Sequence, residues 1–78
     1  MYYVYILKHV NDTYYIGFSS NLKQRIQNHL DGKVGQTKSP RPLKLVYYSA
    51  FKDKKKALDF EKYLKTNSGF AFRNKRLV

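Results

Sequence analysis

The chain contains no cysteine, and that absence removes several classes of protein at once. Disulfide staples, thiolate metal centres and a cysteine nucleophile are all excluded. Histidine is nearly as scarce: only His9 and His29 are present, so a zinc site would have to recruit carboxylates. Carboxylates are few as well, five Asp and Glu in 78 residues. Long apolar runs are missing. The opening Met1–Leu7 segment is too short for the apolar core of a signal peptide and stops at Lys8. Nothing approaches the roughly eighteen apolar residues of a membrane span. The expectation is a cytoplasmic chain with no membrane partner.

What the sequence has in excess is positive charge. Sixteen Lys and Arg against five acids give a formal net charge of +11. On so short a chain that imbalance bears on partners more than on fold, and it suits a polyanion such as DNA or RNA. Binding by phosphate neutralisation releases counterions and weakens steeply with salt. The length allows one domain, residues 1–78, with a small core and little stability in reserve.

Tyr2 to Lys8 is aromatic and β-branched with no helical period, which predicts a strand. Val4 and Ile6 fall on one face, Tyr3, Tyr5 and Leu7 on the other. Turn chemistry at Asn11-Asp12 precedes a second strand, Thr13 to Phe18. A two-residue turn would put Tyr5 and Tyr15 on opposite faces. A three-residue loop, Val10 to Asp12, pairs Leu7 with Tyr15 and Tyr5 with Gly17. The second register is expected: both tyrosines share a face, and Gly17 leaves open space across from Tyr5.

Ser19-Ser20-Asn21 offers N-caps for a helix reaching about Asp31, with Gly32 as its stop. Leu22, Ile26 and Leu30 form the expected core stripe, and Arg25 and His29 make an i, i+4 pair beside it. The loop Gly32 to Pro42 carries Lys33, Lys38 and Arg41 with no acid. It reads equally as a phosphate-contacting loop or as a solvated connector. A third strand spans Leu43 to Phe51. Asp53 caps a helix from Lys54 to about Thr66, whose buried arc holds Ala57, Leu58, Phe60 and Leu64. Glu61 falls inside this arc, at about 40° from Ala57. A glutamate is rarely buried unpaired, so it is expected either to bridge to an arginine on a neighbouring element or to hold a cation. The tail from Phe70 to Val78 predicts one short helix that docks Phe70, Phe72 and Leu77 and exposes Arg73, Lys75 and Arg76.

These features form an ordered set: Tyr3-Val4-Tyr5, Tyr15-Ile16-Gly17, Asn21-Leu22-x-x-Arg25-Ile26-x-x-His29, Arg41-Pro42-Leu43-Lys44-Leu45-Val46-Tyr47 and Ala57-Leu58-x-x-Glu61. The set resembles the GIY-YIG nuclease superfamily over nearly the whole chain, and most of all its small stand-alone members. It is also similar to the N-terminal nuclease domain of the bacterial excision-repair nuclease subunit. Tyr63-Leu64-Lys65 and Ser68-Gly69 continue the likeness. Three departures stand out. Tyr3 replaces the glycine of the first motif, and Phe18 follows Gly17 where some members have lysine. Asn67 and Asn74 are both candidates for the site asparagine of other members.

The resemblance implies an α+β fold, a small three-stranded antiparallel sheet flanked by helices in the order β-β-α-β-α-α. It implies an endonuclease that hydrolyses phosphodiester bonds with one divalent ion, Mg²⁺ or Mn²⁺. Tyr5 and Tyr15 would line the site, with Tyr5 as general base, Arg25 stabilising the phosphate, His29 in a supporting role and Glu61 holding the metal. Gly17, Lys33, Lys38, Arg41, Asn67 and Arg73 would contact nucleic acid, DNA ahead of RNA. Such chemistry needs little beyond positioning, a Lewis acid and a cation at the phosphate. The alternative is a basic nucleic-acid-binding module on the same fold without catalysis; it needs no core-facing acid.

Overall fold

Strand β1 (Tyr2–His9) lies at the centre of the molecule, with β2 (Tyr14–Ser19) and β3 (Leu43–Phe51) antiparallel on its two sides, in the order β2-β1-β3. The computed structural model describes residues 1–10, 12–33 and 43–77. The remaining elements are α1 (Leu22–Leu30), α2 (Lys54–Leu64) and α3 (Asn67–Phe72), which runs on into a π-type turn over Arg73–Leu77. This is the expected α+β architecture and element order. Helix α2 covers one face of the sheet and α1 the other, so Val4, Tyr5, Ile6 and Leu7 are all buried. A strand enclosed on both faces reads in sequence as the unbroken apolar run seen here.

The hairpin adopts the three-residue register. Tyr5 pairs with Gly17 and Leu7 with Tyr15. The His9 amide donates to the Thr13 carbonyl at 2.8 Å, and Asp12 closes the loop at φ 65°. Aspartate tolerates that left-handed conformation better than most side chains, and three-residue loops place a residue there.

The core proper joins Val4, Ile6 and Ile16 of the sheet to Ala57 and Leu64 of α2, with Phe18, Phe51, Phe60 and Leu77 packed around them. The Asp53 carboxylate caps α2 by accepting from the Lys55 amide at 2.9 Å. The helix ends at Leu64 rather than near Thr66, because the Thr66 hydroxyl caps α3 by accepting from the Gly69 amide. Leu58, expected in the buried arc, is instead exposed. Helix α2 meets the sheet along Ala57, Phe60, Glu61 and Leu64, and one further residue turns about 100° out of that stripe.

Helix α1 corrects its expected stripe in the same way. Asn21 caps it, accepting from the Gln24 amide at 3.1 Å. Leu30, however, is 44% exposed, and His29 takes the inward place with no exposure at all. The helix leans on the sheet along Leu22, Arg25, Ile26 and His29, an i, i+3, i+4, i+7 arc that has two polar members.

The C-terminal segment keeps part of its sequence reading, with Leu77 packed on the core and Lys75 and Arg76 exposed, and reverses the rest. Phe70 and Phe72 are largely exposed, and Arg73 is buried. Gly69 is the cause. A Cβ there would collide with the Tyr63 carbonyl, so α3 lies with Gly69 against the end of α2. Arg73, four residues on, shares that inward face.

Candidate active site

Alternation along β1 puts Tyr5 on the α1 side of the sheet, and the hairpin register brings Tyr15 to the same face. The i, i+4 spacing on α1 then delivers Arg25 and His29 to them. The Tyr5 hydroxyl lies 2.8 Å from His29 Nε2, and Arg25 Nε donates to the same oxygen at 3.3 Å. The Tyr15 and His29 rings are 5.1 Å apart, and those of Tyr5 and Tyr15 6.3 Å. Four residues that the sequence scatters over some twenty-five positions are thus in mutual contact.

The hydrogen bonds are compatible with a relay of donor and acceptor roles. The Tyr5 oxygen accepts from Arg25, which leaves its O–H to donate to His29 Nε2, provided that the imidazole is neutral with its proton on Nδ1. The electrostatics favour the neutral imidazole. Burial, with the nearby Arg25 and His9 charges, lowers the His29 pKa to about 4. Burial raises the Tyr5 phenol above its ordinary value, against an opposing hydrogen bond from Arg25. At neutral pH the site therefore holds a protonated phenol against an uncharged imidazole.

Glu61 is set apart from the other acids by position. Asp12, Asp53 and Asp59 are exposed and engage Lys8, the Lys55 amide and the Lys55 ammonium; Asp31 is exposed and accepts from Gln27. The Glu61 side chain is only 19% exposed, and its charge acts on the Tyr5 phenol. Its partner is Lys65 at 3.2 Å on its own helix, not an arginine on another element, because an i, i+4 spacing places the two on one face. As a hard oxygen donor, Glu61 is chemically suited to a Mg²⁺-type ion, which keeps most of its waters and needs few protein ligands. Among the described residues no group of three or more His, Cys, Asp or Glu gathers around a common point. Any such ion would be held by this carboxylate and solvent.

The structure disperses most of the residues expected at the nucleic acid. Gly17 is buried and does not open a space: the Tyr5 phenol fills it, and a Cβ on Gly17 would overlap the Tyr5 hydroxyl and ring. Arg73 is not presented to solvent. Its guanidinium lies over the rings of Tyr14 and Phe70, at 4.8 and 4.3 Å, and its Nε donates to Asn74. Lys33 and Asn67 are exposed, Asn67 opening α3. Lys38 and Arg41 lie outside the described residues. One neighbour of the site escaped the sequence reading: His9, buried on β1, with Nδ1 3.1 Å from the Thr13 hydroxyl. Its alternation with Tyr5 and Leu7 on one strand face was the available signal.

A three-stranded antiparallel sheet with this tyrosine, arginine, histidine and glutamate arrangement defines a GIY-YIG domain, and the chain belongs to that family of nuclease domains. The family model, described as the GIY-YIG catalytic domain, matches residues 1–76. The relatives are UPF0213 proteins, small stand-alone members whose designation specifies no reaction. One, from Clostridium perfringens, is 41% identical over 66 residues, covering 83% of this chain and 71% of the relative. Another, from Lactiplantibacillus plantarum, is 40% identical over 70 residues, covering 86% and 69%. The solution NMR structure of the UPF0213 protein of Bacillus halodurans superimposes with a TM-score of 0.61 at 31% identity, covering 96% of this chain and 82% of that one.

Proposed function

We propose that the protein is a divalent-metal-dependent endonuclease that hydrolyses phosphodiester bonds, with DNA the first substrate to test. The observation that carries this reading is the hydrogen-bonded chain from Arg25 through Tyr5 to His29. A phenol with a raised pKa is a poor base unless its own proton has somewhere to go. His29 Nε2, 2.8 Å from the phenol oxygen, is that destination: as Tyr5 accepts a proton from the attacking water, it releases its own to Nε2, against the cost of charging a buried imidazole. Tyr15 packs against both rings and holds them in register.

Arg25 has two roles in this scheme. It covers the Tyr5 oxygen, which is otherwise sealed from solvent, and it is the cation nearest to that oxygen. A phosphate that engages the guanidinium draws it off the phenol and uncovers the base at the moment the substrate arrives. Glu61 would hold the ion, and the bound ion would supply charge stabilisation at the phosphate and ease deprotonation of water. The charge of +11 supplies the field for a polyanionic substrate.

A second reading is supported by the complete burial of Tyr5: a binding module on the same fold, whose tyrosine cluster is only core. The test is a panel of branched, single-stranded and duplex DNA and RNA incubated with the full chain in Mg²⁺, Mn²⁺ or EDTA. Divalent-dependent nicking supports the nuclease. Salt-sensitive binding with no cleavage of any substrate supports the module.

A further inference from the structure

Beyond α1 from Arg25 and His29, the same sheet face opens into a groove of about 580 Å³ between α1 and β3. Its floor is Tyr3 of β1 with Leu45 and Tyr48 of β3, and its wall carries Lys23 and Gln27 of α1, with Asn21 at the cap. Tyr48 is 55% exposed and Leu45 37%, large apolar surfaces to leave open in so small a chain. The Tyr3 and Tyr48 rings stand 6.4 Å apart at 57°, forming a corner and not a closed stack. Tyr48 is the β3 partner of Tyr5, so the groove adjoins the candidate catalytic residue across one strand.

We propose that this groove receives an unpaired nucleobase of a nucleic-acid strand, stacked on Tyr48, with Lys23 on the adjoining phosphate. Aromatic rings beside a cation are the elements of single-strand recognition, and the volume lies within the range of small-ligand sites. Part of the polar lining is already engaged within the protein. The Asn21 carbonyl oxygen is committed as the helix cap, and the Gln27 amide nitrogen to Asp31. The dominant feature is the pair of tyrosine rings, and stacking, which every base satisfies, gives a preference for unpaired over paired nucleotides. Charge decides against the other apolar occupant, a second copy of this chain, which would bring a further +11 against the first.

The inference rests on the nuclease reading for its consequence, cleavage near unpaired bases, but its test does not. Fluorescence anisotropy in EDTA measures binding of a labelled short single strand and of a blunt duplex of the same sequence. Tyr48→Ala is expected to weaken single-strand binding roughly tenfold and leave duplex binding unchanged. Tyr48→Phe retains the ring and is expected to bind as the parent does. Lys23→Ala is expected to reduce the salt slope by about one. Equal single-strand affinity in Tyr48→Ala and the parent, or an equal loss on both probes, overturns the proposal. So does sedimentation showing a parent dimer that Tyr48→Ala dissolves. Failure of the parent to cleave in Mg²⁺ would count against the nuclease and leave these binding results standing.

Discussion

The Tyr5 hydroxyl and His29 Nε2, 24 positions apart in sequence, meet at 2.8 Å in a space that solvent does not enter. Neither residue explains the other's chemistry alone. A buried phenol resists losing its proton and a buried imidazole resists gaining one, so at rest the proton of this hydrogen bond stays on Tyr5. The predictions below depend on this pair and on the packing that seals it.

The first concerns pH. His29 has its pKa lowered to about 4 in the folded protein, against an ordinary value near 6.5. Its neutral form is thus favoured by folding. The associated stability is fully present above pH 6.5 and is lost as pH falls from 6.5 through 4. Thermal melts across that window are expected to fall more steeply for the parent than for His29→Asn. Cleavage is expected to persist well below pH 6.5, because the imidazole stays uncharged down to about pH 4.

Gly17 tests the packing over the phenol. Gly17→Ala introduces a methyl where the Tyr5 hydroxyl and ring lie, so the ring must move off His29 or the strands must part. Overpacking of this kind costs about 1–3 kcal/mol, with roughly 4–8 °C of melting temperature per kcal/mol in a domain of this size. Activity is expected to fall with it. A variant with unchanged melting temperature and activity would show that Tyr5 is free to leave its seat.

Arg73 separates packing from phosphate binding. Stacked between Tyr14 and Phe70, it ties the C-terminal segment to β2. Arg73→Ala is expected to lower stability by about 1–2 kcal/mol through lost cation–π and stem contacts. The slope of nucleic-acid affinity against salt should not change. A slope reduced by about one would instead return Arg73 to the phosphate-binding set.

The fold was legible in the sequence where local chemistry and parity decided it. One loop length set which face Tyr15 shares, and Asn21, Asp53 and Gly32 marked helix ends by capping and turn chemistry that need no tertiary context. The meeting of Tyr5, Tyr15 and Arg25 was legible because an ordered set of motifs carried them together. What failed was the choice of which helix face turns inward. In α1 the apolar repeat pointed to Leu30, yet the hydrogen bond to Tyr5 and the site's aromatic packing seat His29 instead. In the tail, Phe70 and Phe72 looked like anchors, but the steric demand at Gly69 rotates Arg73 inward. Glu61 was placed correctly at the core edge, and its partner was not, since a flexible lysine one turn on the same helix reaches it first. The misses at His29 and Arg73 reflect tertiary contacts outweighing hydrophobic periodicity, and the one at Glu61 a local i, i+4 pair.

The measurement that bears most directly on the account is divalent-dependent nicking by the parent chain, Tyr5→Phe and Glu61→Gln on one labelled substrate, with circular dichroism on each. The expected result is cleavage by the parent in Mg²⁺ or Mn²⁺, abolished by EDTA. Tyr5→Phe should retain the fold and lose on the order of 10²–10⁴ in rate, the usual contribution of a positioned acid or base. Glu61→Gln should retain the fold and lose the response to metal. Undiminished divalent-dependent cleavage by folded Tyr5→Phe would contradict the relay, and by folded Glu61→Gln the metal assignment.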